Sequence, residues 1–206
     1  MRPEVVRRGA HAALAGRARA TYHRGMDTPT SSPDASSDAV LALVDAERAH
    51  FLAQVARIPV AQQAERPAPD RWSVAEIVEH VARIDRGVAK ILALRGAEPR
   101  TATPQQLTDA ALTPEKVARV RSRAERFEAP ERVRPTGGLD PAAALAQLAE
   151  ARAALRAAYL AADPAVLDGA VHEHPAIGPL TLRGWFGMAA HHDARHAQQI
   201  EELADR

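Results

Sequence analysis

Four stretches of this chain repeat their apolar residues at the period of an α-helix, and this restricts the possible folds more than any other feature. From Asp38 to Ile58, the residues Val40, Val44, Phe51, Val55 and Ile58 share one face, with Glu47 and Arg48 interrupting it for one turn. From Ser73 to about Leu94 the stripe is Ile77, Val81, Ile84, Val88 and Ile91. Between Pro141 and Ala161 it is Leu145, Leu148, Ala151, Leu155 and Tyr159. In the last stretch, residues 182–204, Trp185, Met188, Gln199 and Leu203 line up. No segment reads as a strand. Ala-rich composition with only 11 glycines in 206 residues agrees with helix, and 46% hydrophobic residues suffice for one core.

The helix starts are marked independently. Ser73 and Glu76 fit a capping box, and Trp72 with Ile77 fits a hydrophobic staple. Ser37 and Asp140 are good N-caps, Pro141 suits a first helical position, and Thr181 with the Leu180–Trp185 pair repeats the cap and staple. Thr113-Pro114-Glu115 starts a shorter helix to about Arg126, read as a peripheral cover with Arg119, Arg121, Arg123 and Arg126 on a solvated face. An anion-binding role for those arginines is the alternative. Residues 171–179 read as a loop. The expected fold is all-α, a four-helix bundle burying all four stripes. The long connection over residues 95–140 permits a crossover in which the second and third long helices run parallel.

Residues 1–36 are expected to be a disordered tail, basic at first and then rich in Ser, Thr and Pro, with the bundle domain at 37–206. The tail lacks the apolar core of a signal peptide, and Met26 offers an alternative start. The six arginines before Met26 leave the rest mildly acidic although the net charge is +1. That balance, with 3% aromatics, argues against nucleic acid as a partner. No apolar run is long enough for a membrane span, and a cytoplasmic location is expected. With no cysteine, a metal site must use His, Asp or Glu.

His192 and His196 lie four apart, one turn above each other on a single helix face. With nine histidines, chance supplies about 0.4 such pairs, so the spacing needs support. His80 gives it, at the edge of the second stripe, one turn from both Ile77 and Ile84. Three imidazoles facing one interior are costly as unpaired polar groups, and a metal removes that cost. Three neutral ligands leave open positions for water or substrate, and a metal-bound water or thiol loses its proton near neutral pH. Ordinary histidines bonded to backbone or water are the competing reading. His191 points off the stripe, His172 and His174 sit in the loop and are read as non-ligating, and Asp193 and Arg195 default to surface roles.

Arg71-Trp72-Ser73-Val74-x-Glu76-Ile77-Val78-x-His80, His174-Pro175-x-x-Gly178-x-Leu180-Thr181 and His192-Asp193-x-Arg195-His196-x-x-Gln199-Ile200 together resemble the DinB/YfiT-like superfamily of metal-binding four-helix bundles. By that resemblance His80, His192 and His196 are the metal ligands, and the ion is divalent: zinc, nickel or iron. The resemblance also implies a long crossover and frequent dimers. For function it implies several outcomes: thiol S-transferases using bacillithiol or mycothiol, a mycothiol-dependent maleylpyruvate isomerase, and metal-dependent hydrolases. The expected function is transfer of a low-molecular-weight thiol to an electrophilic small molecule. The alternatives are a metal-dependent hydrolase and a non-catalytic, metal-binding stress-response module.

Overall fold

The start signals in the sequence become hydrogen bonds in the computed structural model, which describes residues 37–98, 102–124 and 127–205. Ser73 Oγ accepts from the Glu76 N–H at 3.2 Å, and the Glu76 carboxylate accepts from the Ser73 N–H at 2.9 Å. Asp140 accepts from the Ala143 N–H at 2.8 Å and Thr181 from the Gly184 N–H at 3.0 Å. These caps satisfy amide groups that a helix start leaves unpaired. Ser37 differs from expectation. It already lies in helical conformation as the first described residue of its helix, and its hydroxyl meets Arg183 Nη1 at 2.7 Å.

The four long helices are α1 (Ser37–Arg57), α2 (Val74–Arg95), α5 (Pro141–Ala161) and α7 (Leu182–Ala204). Between them lie α3 (Pro104–Asp109), α4 (Pro114–Arg121) and α6 (Pro164–Gly169), with short 3-10 turns at Val60–Gln62 and Glu131–Val133. The expected tail, residues 1–36, and Arg126 lie outside the described residues. Among the described residues, no helix is long and apolar enough to cross a membrane.

Helix direction follows from which ends meet. One core cluster joins Val40 and Val44 of α1, Val88 and Leu92 of α2, Leu155 and Tyr159 of α5, and Leu182 and Phe186 of α7. The other joins Phe51 and Val55, Ile77 and Val81, Leu148 and Ala151, and Ala197 and Ile200. So α1 runs parallel to α7, α2 runs parallel to α5, and the two pairs oppose each other. A parallel α2–α5 pair requires the crossover over residues 96–140.

Two expectations are corrected. Val171–His174 and Gly178–Thr181 are not a loop but an antiparallel hairpin, β1 and β2, with His174 opposite Gly178 and His172 opposite Leu180. Four-residue strands carrying Pro179 are too short and too poor in branched residues to show a strand pattern. Gly178, at φ 78°, closes the turn in a conformation that favours glycine. Helix α4 is also shorter than expected, and its arginines are not simply solvated. Arg121 pairs with Glu47, and its Nε donates to His191 Nδ1 at 3.0 Å.

Between the two apolar clusters lies a layer of charge. Each long helix contributes one residue: Arg48, Asp85, Arg152 and Asp193. Arg48 reaches Asp193 at 3.0 Å and Asp85 at 2.9 Å, and Arg152 reaches the same two carboxylates at 2.8 and 3.0 Å. Asp193 is 0% exposed, which overturns its expected surface role. Arg48 interrupts the first stripe because its partners lie inside. Burial pushes both carboxylates upward, and the two guanidiniums oppose that shift.

Candidate metal centre

The capped start of α2 sets the phase of that helix and turns His80 toward α7, where His192 and His196 occupy successive turns. The three side chains meet. His192 Nε2 stands 3.3 Å from His80 Nε2 and 3.2 Å from His196 Nε2. They form the one histidine or carboxylate group among the described residues that could hold a metal ion. His191, His172 and His174 stand outside this group. His191 is fully buried and takes the Arg121 hydrogen bond instead.

The hydrogen bonds behind the rings show what the group suits. His80 Nδ1 donates to the Val133 carbonyl at 2.7 Å. His196 Nδ1 donates to Gln199 Oε1 at 2.8 Å. In a neutral imidazole one nitrogen carries the proton and the other accepts. With both Nδ1 atoms protonated, the Nε2 atoms of His80 and His196 present lone pairs to His192 Nε2. One proton on His192 Nε2 cannot serve both well, and His192 Nδ1 is buried with no hydrogen-bond partner. A cation among the three Nε2 atoms resolves this. Zinc–nitrogen bonds of about 2.0–2.1 Å in tetrahedral geometry place ligand nitrogens about 3.3–3.4 Å apart, close to the two separations measured from His192 Nε2.

The electrostatics agree. Burial pushes His80, His192 and His196 below the ordinary imidazole range, and the positive charge of Arg195 pushes each further down. The neutral form needed for ligation is therefore the favoured one. Arg195, expected at the surface, is 8% exposed. It lies over the Phe127 ring at 5.1 Å, with Nη1 donating to the Val120 carbonyl at 3.4 Å.

The histidines line a cavity of about 1460 Å³. Its walls come from α2, from the crossover through Val120 and Val133, from the hairpin through His172, His174 and Ile177, and from Trp185 and Met188 of α7. Trp72 packs on His80 at 4.9 Å between ring centroids, and Trp185 packs on His174 at 4.8 Å. Trp185 Nε1 donates to the His172 carbonyl at 3.0 Å, which ties the hairpin to the rim.

Two partners behind the ligands escaped sequence reasoning. Gln199 had a signal, since it lies three residues after His196 on the same stripe. Val133 had none, because its carbonyl comes from the crossover and any residue could supply it.

The sequence model of the DinB superfamily matches residues 43–200. The chain belongs to the DinB superfamily. The match contains all three histidines and reaches into all four long helices. Similar to this DinB-superfamily chain is the uncharacterized protein YuaE of Bacillus subtilis (strain 168), 25% identical over 143 residues, which cover 69% of this chain and 83% of that protein. A solved structure titled TT2238, a four-helix bundle protein, has a TM-score of 0.50 and 24% identity, over 80% of this chain and 98% of that one. That likeness bears on the fold alone.

Proposed function

We propose that this DinB-superfamily protein is a divalent-metal-dependent transferase that joins a low-molecular-weight thiol to an electrophilic small molecule, with His80, His192 and His196 as the metal ligands. The observation that carries the reading is the convergence of three Nε2 atoms on the wall of a cavity large enough for two reactants. At about 1460 Å³ it exceeds the roughly 300–1,000 Å³ of common small-molecule sites. When bound, a divalent ion supplies Lewis acidity that favours the anion of a thiol or of water near neutral pH.

The remaining roles belong to the chain. The Val133 carbonyl and Gln199 hold two imidazoles in the ligating tautomer. The Arg195 charge favours an anion beside the histidines. Trp72, Trp185 and the hairpin supply the walls beside the histidines. In the overall step the thiol sulfur forms a bond to the electrophilic carbon, the leaving group departs with its electron pair, and the thiol proton passes to solvent.

Ligation for stability alone is disfavoured by the charge layer, which ties the four long helices together without a metal. The test begins with elemental analysis. Wild type is expected to carry about one divalent ion per chain, whereas His192→Ala and His80→Ala lose it and keep their helical circular dichroism. Metal-loaded protein is then given a chloro-dinitrobenzene-type electrophile with each candidate thiol. Chloride release that requires both thiol and metal supports the proposal. Thiol-independent ester cleavage would replace it with a hydrolase, and a metal-free wild type would end both readings.

A further inference from the structure

The cavity beside the histidines has a charge and an apolar grain that metal binding does not require. Ile84 and Ile91 belong to the α2 stripe, yet they are only half-buried and face the cavity with Val88. Ile177, Trp185 and Met188 face it from the other side. The result is an apolar channel running along α2 away from His80.

Its charged lining is mostly basic. Among the described residues, seven arginines and lysines line the cavity against three acids, Asp70, Glu128 and Glu202. Arg134 pairs with Glu128, and Arg123 with Glu202 at 3.1 Å, so two acids are already matched. The whole chain carries a net charge of only +1, so the excess is local. A cleft lined by one sign of charge, with low-dielectric walls, concentrates ions of the opposite sign. Arg195 is the innermost of these cations, close enough for its charge to act on all three imidazoles.

We propose that the cavity binds amphipathic anions: a carboxylate held on the Arg195 side of the histidines, with an apolar body laid along Ile84, Val88 and Ile91. This deepens the transferase reading by naming the class of its substrate. It rests on the same cavity, but not on thiol transfer taking place.

The chain has two tryptophans, Trp72 and Trp185, and both line the cavity, so intrinsic fluorescence reports its occupancy. Full-length metal-loaded protein is titrated with decanoate, decanol and decyltrimethylammonium, each below its micellar range. Decanoate is expected to give a saturating change with affinity at least about tenfold above decanol, the scale of one charge-assisted contact. The cation is not expected to saturate. Added salt should narrow the gap between decanoate and decanol by screening.

Arg195→Gln, and separately the rim double variant Arg71→Gln/Arg132→Gln, test the source of the preference. Arg195→Gln lowering the decanoate-to-decanol ratio, with decanol binding unchanged, supports the proposal, whereas a fall in the rim variant alone places the carboxylate at the rim and overturns it. Decanol binding as tightly as decanoate overturns it. So does a ratio unchanged in every variant that folds, which would place the preference on the metal, or the absence of saturation with all three probes. Decanoate binding without thiol turnover would leave this inference standing and remove the transferase. Turnover of neutral electrophiles without decanoate binding would do the reverse.

Discussion

At the scale of single residues, the two most informative side chains are Asp193, which the sequence places on a helix flank, and Gln199, which it places on the stripe of the histidines. Asp193 sits beside His192, and its charge is easily taken for a surface charge. In the fold it is 0% exposed and accepts from both Arg48 and Arg152. Removing one member of a buried ion network leaves its partners charged and uncompensated, at a cost of about 3–5 kcal/mol. Asp193→Ala is therefore expected to lower stability by about that much in urea denaturation. Replacing all four charges by apolar residues of similar volume should cost far less. Gln199 gives a different readout. Its side-chain oxygen accepts from His196 Nδ1, and loss of such a partner typically weakens metal binding about 10–100-fold. Gln199→Ala should show that loss in competition with a chromogenic chelator while its melting temperature in chelator stays near that of wild type.

At the scale of elements, the β1–β2 hairpin matters most, because it converts a helix bundle into a bundle with a walled cavity. Burial lowers the pKa of both its histidines, His172 and His174, and His174 has a shift large enough to test. Its Nδ1 accepts from the Ala176 N–H at 3.1 Å, and burial, with a smaller contribution from Arg132, pushes its pKa down to about 4. In the unfolded chain the same group titrates at about 6.5. Between these values the unfolded chain holds the extra proton, so stability rises with pH across the window. The His174 contribution is complete above about pH 6.5, declines as pH falls, and levels off below about 4. Urea midpoints of metal-free protein between pH 7 and 4 should fall, and His174→Gln should make the slope shallower. An equal slope in the variant would remove His174 from the account. The sequence concealed the hairpin because four-residue strands leave no alternation to read. The long helices were legible because a stripe repeated over five turns outweighs one interruption.

At the scale of the whole molecule, the charge layer and the histidine group are separate polar features in one interior. The first closes on itself with zero net charge. The second leaves nitrogen lone pairs facing one another. The fold is therefore expected to survive metal removal, whereas the site is incomplete without metal. Chelator-treated protein should keep its helical circular dichroism and melt cooperatively. Added metal should raise the melting temperature in a concentration-dependent way, the gain in stability reaching about 2.7 kcal/mol at a hundredfold excess over the dissociation constant. Unfolding on chelation would make the site a structural one. The sequence by itself determined the four helices, their caps, the bundle, and the candidacy of His80, His192 and His196. All of these follow from local periodicity and short-range hydrogen bonds. Only the tertiary structure decided that Asp193 is paired inside, that the Val133 carbonyl holds His80, and that Ile84 and Ile91 face a cavity with a basic lining. The pairings of Asp193 and of His80 join residues 41 to 145 positions apart, and packing alone brings such distant residues together.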